Sequence, residues 1–226
     1  MGIIFKLHRA ITRWGVVGLL YRVRATIVDR WFDFCNGTDT CGIIPLDDLT
    51  ISSQNKSSGY RYEPVRVLLL QTFFARWGRH INSKTCFVDF GCGKGRALMV
   101  ASEFGIARAR GVEFAAELCE VARQNCKRYR ARHNPATVME VIEGDAAVYP
   151  IDQKDSLFFL FNPFDEIVLS RVLDNIAESV KRNPRDIHIC LYNSVLDEVV
   201  ARHGAFEPDE SIEIFGYRFQ IFRRRN

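Results

Sequence analysis

No apolar run in this sequence approaches the roughly 20 residues needed to span a bilayer. Candidates such as 65–71 and 157–161 have the length of buried strands or short helical stretches. Zinc-site spacing is missing too. The five histidines are dispersed and no C-x-x-C occurs, so no metal is expected. The seven cysteines, at 35, 41, 86, 92, 119, 126 and 190, are odd in number and irregular in spacing. They read as reduced thiols, which points to the cytoplasm. Repeats and low-complexity stretches are absent. With 47% hydrophobic and 26% charged residues, disorder is excluded for most of the chain. Its 226 residues suffice for one sizeable core with a small appendage.

Acidic residues are missing from positions 1–28, and this lack locates the net charge of +4. Residues 1–34 hold six bases (Lys6, Arg9, Arg13, Arg22, Arg24, Arg30) against Asp29 and Asp33, while the remainder balances at 25 of each sign. A globally basic nucleic-acid binder would not look like this, so nucleic acid is not the expected partner. In the same leader, Ile4, Leu7, Ile11, Trp14, Gly18, Tyr21, Ala25, Val28 and Phe32 follow helical steps of three and four. Gly15 and Gly18 are candidate breaks. An apolar stripe of this kind is expected to pack on the main domain. An anionic membrane surface and an organellar presequence are the alternatives, the first making residues 1–34 a peripheral membrane contact.

The chain divides into three segments: a basic amphipathic helical leader at 1–35, a loop or lid at 36–63, and a catalytic domain at 64–226. The loop is rich in turn formers, and one of this length in a compact enzyme is often functional. Pro64 opens a helix expected through Arg79. Beyond it strands at 85–90, 107–113, 137–142, 156–161 and 187–192 alternate with helices at 94–104, 115–132, 164–182 and 196–203. Strands at 211–215 and 217–223 around Gly216 form a hairpin. This alternation predicts an α/β fold, a largely parallel sheet with helices on both faces and an antiparallel edge.

The richest stretch is Asp89-Phe90-Gly91-Cys92-Gly93-Lys94-Gly95-Arg96, where a strand gives way to a helix. Glycines there permit a tight turn and close approach of a ligand. Gly91, Gly93 and Gly95 give G-x-G-x-G, neither a Walker loop nor the G-x-G-x-x-G of dinucleotide folds. Asp89 would repel a pyrophosphate and suits an ammonium group. Glu113 ends the next strand, where a carboxylate accepts from ribose hydroxyls. Asp145 comes after the third strand, where a carboxylate accepts from an adenine amino group. Together the three acids point to a ligand with an amine, a ribose and an adenine. Lys94 and Arg96 are expected as exposed charge at a helix start, and Cys92 as a small residue between glycines.

These residues resemble the class I methyltransferases that use S-adenosylmethionine, over about residues 60–226. Asp89-x-Gly91-x-Gly93-x-Gly95 resembles their first motif, Gly111-Val112-Glu113 the second, Gly144-Asp145-Ala146 the third and Phe161-Asn162-Pro163-Phe164 the fourth. The resemblance implies a Rossmann-like seven-stranded sheet of order 3-2-1-4-5-7-6 with its last strand antiparallel. It implies S-adenosylmethionine as cofactor, with Asp89 on the methionine ammonium side, Glu113 on the ribose and Asp145 on the adenine, and with Gly91, Gly93, Gly95, Ala146 and Phe161 completing the cofactor-binding set. More narrowly, Gly37–Thr40, Leu46–Leu49, Gly59–Pro64 and the Lys94-Gly95-Arg96 variant resemble a group of bacterial methyltransferase-like proteins that bring no substrate with them. Amino-group methyltransferases often carry Asn/Asp-Pro-Pro and an aromatic at the fourth motif, and this chain has one proline fewer. Asn162 and Phe164 are therefore the catalytic candidates. An amine of a protein side chain or a small molecule is the expected acceptor. Tyr60, Tyr62, Thr38 and Thr40 are candidate lid residues, and Tyr192-Asn193-Ser194 lie near the expected acceptor. His188 reads as a core histidine and Arg223-Arg224-Arg225 as a solvated tail. The alternatives are a non-catalytic nucleoside-binding module and a nicotinamide-dependent oxidoreductase.

Overall fold

Short runs of β-branched and aromatic residues, each succeeded by a helical pattern, pair in parallel to form the centre of this chain. The computed structural model describes the backbone of residues 2–225 and the side chains from Gly18 to Arg225. Its strands are β1 (Cys86–Phe90), β2 (Arg108–Glu113), β3 (Val138–Glu143), β4 (Leu157–Leu160), β5 (His188–Tyr192), β6 (Phe206–Ile214) and β7 (Tyr217–Arg224). The helices are α1 (Gly2–Asn36), α2 (Val67–Trp77), α3 (Arg96–Ala101), α4 (Ala116–His133), α5 (Glu166–Arg182) and α6 (Asp197–Arg202). All seven strands form one sheet in the order β3-β2-β1-β4-β5-β7-β6. β1 to β5 run parallel, while β7 pairs antiparallel with both β5 and β6. This is the order and the antiparallel insertion that the family resemblance implies.

Alternation along the strands divides the core. Phe87 and Phe159 point to the side of α1, α2 and α3, whereas Val88, Phe90 and Phe158 point to that of α5 and α6. On the first side Phe73 stacks on Phe219, with ring centroids 4.5 Å apart, and Phe74 meets Phe87 edge-on. Each fully buried phenylalanine contributes roughly 1.5–3 kcal/mol.

α1 runs unbroken through Gly15 and Gly18. From Tyr21 onward its inner face belongs to the core: Tyr21, Ala25 and Phe32 are buried, and Tyr21 stacks on Phe215 at 4.4 Å. Asp29 is buried among donors from the start of α2 and from α3. It accepts from the Val67 amide at the start of α2 (2.9 Å), from Arg66 (2.7 Å), and pairs with Arg96 of α3 at 3.3 Å. An orphan amide of a helix start, which normally needs its own cap, is thus satisfied by a neighbouring helix.

Several boundaries differ from expectation by a few residues, α2 starting at Val67 where Pro64 is expected to open it, and the hairpin differs most. β6 begins at Phe206, five residues before the expected start, and contains Pro208 and three acids ahead of Ser211. An edge strand tolerates these because one side needs no ladder, and the register shifts between Pro208 and Glu210. Arg223 and Arg224 belong to β7, with Arg223 paired to Glu207, and so are not a solvated tail.

Candidate cofactor and acceptor site

Every feature of the site lies where the parallel strands end. After β1 the chain turns through Gly91, Gly93 and Gly95, all with positive φ (74°, 53° and 82°) that only glycine adopts without strain. Two of them are also sterically fixed. A Cβ on Gly91 would lie 2.4 Å from the Pro163 side chain, and one on Gly93 would lie 2.2 Å from the Tyr62 ring. The turn is therefore held between the β4 loop on one side and the lid segment on the other.

Asp89 and Glu113 lie at the ends of β1 and β2 and Asp145 just past the end of β3, in three different electrostatic conditions. Asp89 is buried. Desolvation first, and the Glu113 charge second, push its carboxyl well above the usual carboxylate range, with no hydrogen bond offsetting them. Glu113 is raised by burial as well, but less freely. Its Oε2 accepts from the Gly93 amide (2.9 Å) and its Oε1 from the Ala115 amide (3.0 Å), and both favour the ionised form. Asp145 is lowered. Its partial burial would raise it, but hydrogen bonds from the Ser53 hydroxyl, the Ala147 amide (2.8 Å) and Asn55 Nδ2 (2.7 Å) outweigh that. A carboxylate offers about four lone-pair directions, so Asp145 retains one for a further donor.

Ser53 and Asn55 belong to the segment between α1 and α2, which is laced across the strand ends. Isolated bridges join Ile44 to Tyr62, Ile51 to Ala115 and Gly59 to Phe164. The Asp165 amide donates to Ser58 O (2.9 Å), and Glu117 accepts from the Thr50 amide (3.1 Å). At its root, Asp33 of α1 accepts from Thr38 and Thr40 hydroxyls and from the Thr40 and Cys41 amides. Thr38 and Thr40 therefore anchor the lid to its helix. Tyr62 is buried on Gly93 and donates from its hydroxyl to Thr40 O (2.6 Å), whereas Tyr60 is exposed.

Lys94 and Arg96 correct the expectation of exposed charge. Arg96 is 2% exposed and Lys94 7%. Arg96 donates to Thr40 Oγ1 (2.8 Å), Val65 O (3.0 Å) and Cys41 Sγ (3.2 Å) besides pairing with Asp29. Lys94 pairs with Asp39 (3.0 Å), donates to Cys41 O and lies 5.6 Å from the Tyr62 ring centroid. Both residues clamp the root of the lid onto the glycine turn.

Beneath the lid, Gly91, Val112, Phe114, Gly144, Asp145 and Ala146 line a narrow cleft that continues to Pro163 and Phe164. Its walls are apolar with one carboxylate edge, which fits a flat heterocycle carrying an amino group. On the other side of Gly59 and Phe164 lies an open groove lined by Tyr60, Arg61, Glu63, Phe161, Asn162 and Val195 among others. Phe161 faces this groove and packs on Tyr192 at 4.7 Å. Asn162 has φ 42° and donates from Nδ2 to Asn193 O (3.2 Å), while its Oδ1 is buried without a partner. Of the trio at the end of β5, Asn193 holds Asn162 and Ser194 accepts from the Leu196 amide. His188 is half-buried at the opposite end of β5, with burial lowering its pKa. Sequence reasoning does not reach Phe114, Ser53 and Asn55 as site residues. Phe114 alone has a signal, an aromatic placed directly after an acidic strand end.

No group of three or more His, Cys, Asp or Glu side chains that could hold a metal ion occurs among the described residues. Residues 88–191 match a family model described as a methyltransferase domain. No curated protein matches the sequence. Solved structures do match in fold. An RNA methyltransferase from Salinibacter ruber, in complex with S-adenosyl-L-homocysteine, is 16% identical with a TM-score of 0.55, over 72% of this chain and 94% of that one. A putative methyltransferase from Escherichia coli is 13% identical with a TM-score of 0.56, over 81% and 98%. The magnesium protoporphyrin IX methyltransferase from Synechocystis PCC 6803, with bound S-adenosylmethionine, is 15% identical with a TM-score of 0.50, over 70% and 78%. With the strand order already described, these likenesses place the sheet in the class I methyltransferase fold, and residues 88–191 are similar to a methyltransferase domain.

Proposed function

We propose that this chain transfers a methyl group from S-adenosylmethionine to an amine nitrogen. The residues fit that cofactor. The apolar cleft with its Asp145 edge suits adenine, Glu113 has carboxylate capacity left for ribose hydroxyls, and Asp89 suits the methionine ammonium. When bound, the cofactor supplies an electrophilic methyl carbon on a positively charged sulfur. The amine lone pair forms the new N–C bond as the C–S bond breaks, its electrons stay on sulfur, and the methylated nitrogen then sheds a proton. The chain's task is alignment, which supplies much of the acceleration in such a displacement.

The observation that carries the amine reading is the buried, unpartnered Asn162 Oδ1 beside the groove. Asn193 O can only accept, so it fixes the amide with nitrogen toward itself and oxygen free. A buried acceptor without a donor costs about 1–3 kcal/mol, and an incoming N–H removes that cost. An amine offers such a hydrogen while keeping its lone pair for the methyl carbon. Phe164, between cleft and groove, gives the acceptor an apolar wall.

The first test is calorimetric titration with S-adenosylmethionine and S-adenosylhomocysteine. Asp89→Ala and Glu113→Ala are expected to weaken binding by at least about tenfold. No binding by the folded wild-type chain would overturn the cofactor reading. The second is transfer of labelled methyl to a panel of primary amines, phenols and alcohols. Amines are expected to be labelled, and Asn162→Ala to lower kcat with the cofactor Kd unchanged. Labelling confined to hydroxyls would overturn the amine reading.

A further inference from the structure

α1 has two apolar faces, and the fold uses only one. Tyr21, Ala25 and Phe32 are buried against the sheet layer, while Leu20, Val23, Ile27, Trp31 and Phe34 form a second stripe with no covering element among the described residues. Leu20 and Trp31 are each 64% exposed and Phe34 76%. Their spacing of three and four puts them on one line of the helix. Trp31 and Phe34 lie ring against ring at 5.6 Å, so the end of the stripe is a continuous aromatic surface. Exposed apolar residues are ordinary singly, but a row of five on one helix is an interaction surface.

The charges beside the stripe identify what covers it. The only acids of residues 1–34 are Asp29 and Asp33, and both are engaged on the inner side: Asp29 with Arg66, Arg96 and the Val67 amide, Asp33 with the lid root. Arg24 and Arg30 are exposed. In the sequence the same spacing runs back from Leu20 through Val16 to Arg13, Arg9 and Lys6. The stripe therefore has cationic neighbours and no acid of its own. Helices that pair with a second copy set opposite charges across the seam. Here a second α1 would bring arginines against arginines. An anionic lipid surface satisfies both features at once, taking the apolar row below its headgroups and the arginines among them. Trp31 and Phe34 suit that depth. No helix is long and apolar enough to cross a membrane among the described residues, so the contact is in plane.

We propose that the outward face of α1, centred on Leu20, Val23, Ile27, Trp31 and Phe34, docks this methyltransferase-fold chain on an anionic bilayer surface.

Flotation with extruded vesicles tests it, using phosphatidylcholine alone and phosphatidylcholine with roughly one third phosphatidylglycerol. The full chain is expected to bind the anionic vesicles at least about tenfold better, with the difference collapsing near about 0.5 M salt. Trp31→Glu/Phe34→Glu should reduce binding at least about tenfold by removing apolar insertion. Arg24→Glu/Arg30→Glu should abolish the preference for anionic lipid. All four positions are on the surface, so circular dichroism and thermal midpoint are expected to stay at wild-type values, which separates lost docking from lost folding. Three outcomes would overturn the proposal: no binding to anionic vesicles by the folded chain, binding unchanged in Trp31→Glu/Phe34→Glu, or a concentration-dependent dimer that these substitutions dissolve while vesicles are ignored.

Discussion

Asp89 and Glu113 are neighbouring carboxylates with opposite support. Glu113 rests on two backbone amides, whereas Asp89 has burial and a like charge against its ionised form. In the free chain Asp89 therefore holds its proton to a higher pH than an ordinary carboxylate. A ligand ammonium favours the ionised form, so binding releases that proton. Affinity for S-adenosylmethionine is accordingly expected to rise with pH, by up to about tenfold per unit, until the raised Asp89 pKa is passed. Calorimetry between about pH 5 and 7, in buffers of different ionisation enthalpy, reads both the slope and the proton released. Asp89→Asn should flatten the profile. A wild-type affinity that falls with pH would contradict this reading. These acids and the three glycines are legible in the sequence because each sits at or just past a strand end, a place that local spacing alone locates. Lys94 and Arg96 are not. Their carboxylate partners, Asp39 and Asp29, come from far earlier in the chain, and a helix start viewed locally gives no sign that they are covered.

Among the elements, α1 and the lid carry most of what the alternation of strands and helices does not reveal. Apolar periodicity exposes a helix but not which of two apolar faces is used, and here the steps through Tyr21 and those through Leu20 are both regular. The lid has almost no periodicity, because its order comes from single bridges and side-chain caps instead of a ladder. Pro208 and its neighbouring acids disguise the first half of β6, which an edge position tolerates. The junction of α1, α2 and α3 at Asp29 gives the clearest stability test. Arg96→Leu removes a buried cation that serves Asp29, Thr40 and Val65 O together. A loss of about 3–5 kcal/mol is expected in urea unfolding, as for other broken buried pairs. Asp29→Asn/Arg96→Leu should cost less than the sum of the single changes, since each single change already removes the contact the two residues share. A single-variant loss below about 1 kcal/mol would show that the junction is not a staple.

At the scale of the whole molecule, the sheet provides three carboxylates and a glycine turn, and a segment outside the sheet completes the walls around them. Sequence spacing conveys the first contribution, and the family resemblance conveys the strand order. The second depends on contacts between residues 90 positions apart, such as Asn55 with Asp145.

The bridge between Gly59 and Phe164 has a kinetic consequence. Both residues line the inner cleft, and both line the outer groove. One partition therefore serves two rooms, and it stands only while the lid lies across the sheet. A lid that lifts to admit a ligand to the inner room also dismantles the outer one. Turnover is accordingly expected to be strictly sequential, with the nucleoside ligand entering first and leaving last. Titrating an amine acceptor analogue with and without S-adenosylhomocysteine checks this. Saturable binding is expected only in its presence, and equal affinity in both conditions would show that the two rooms fill independently.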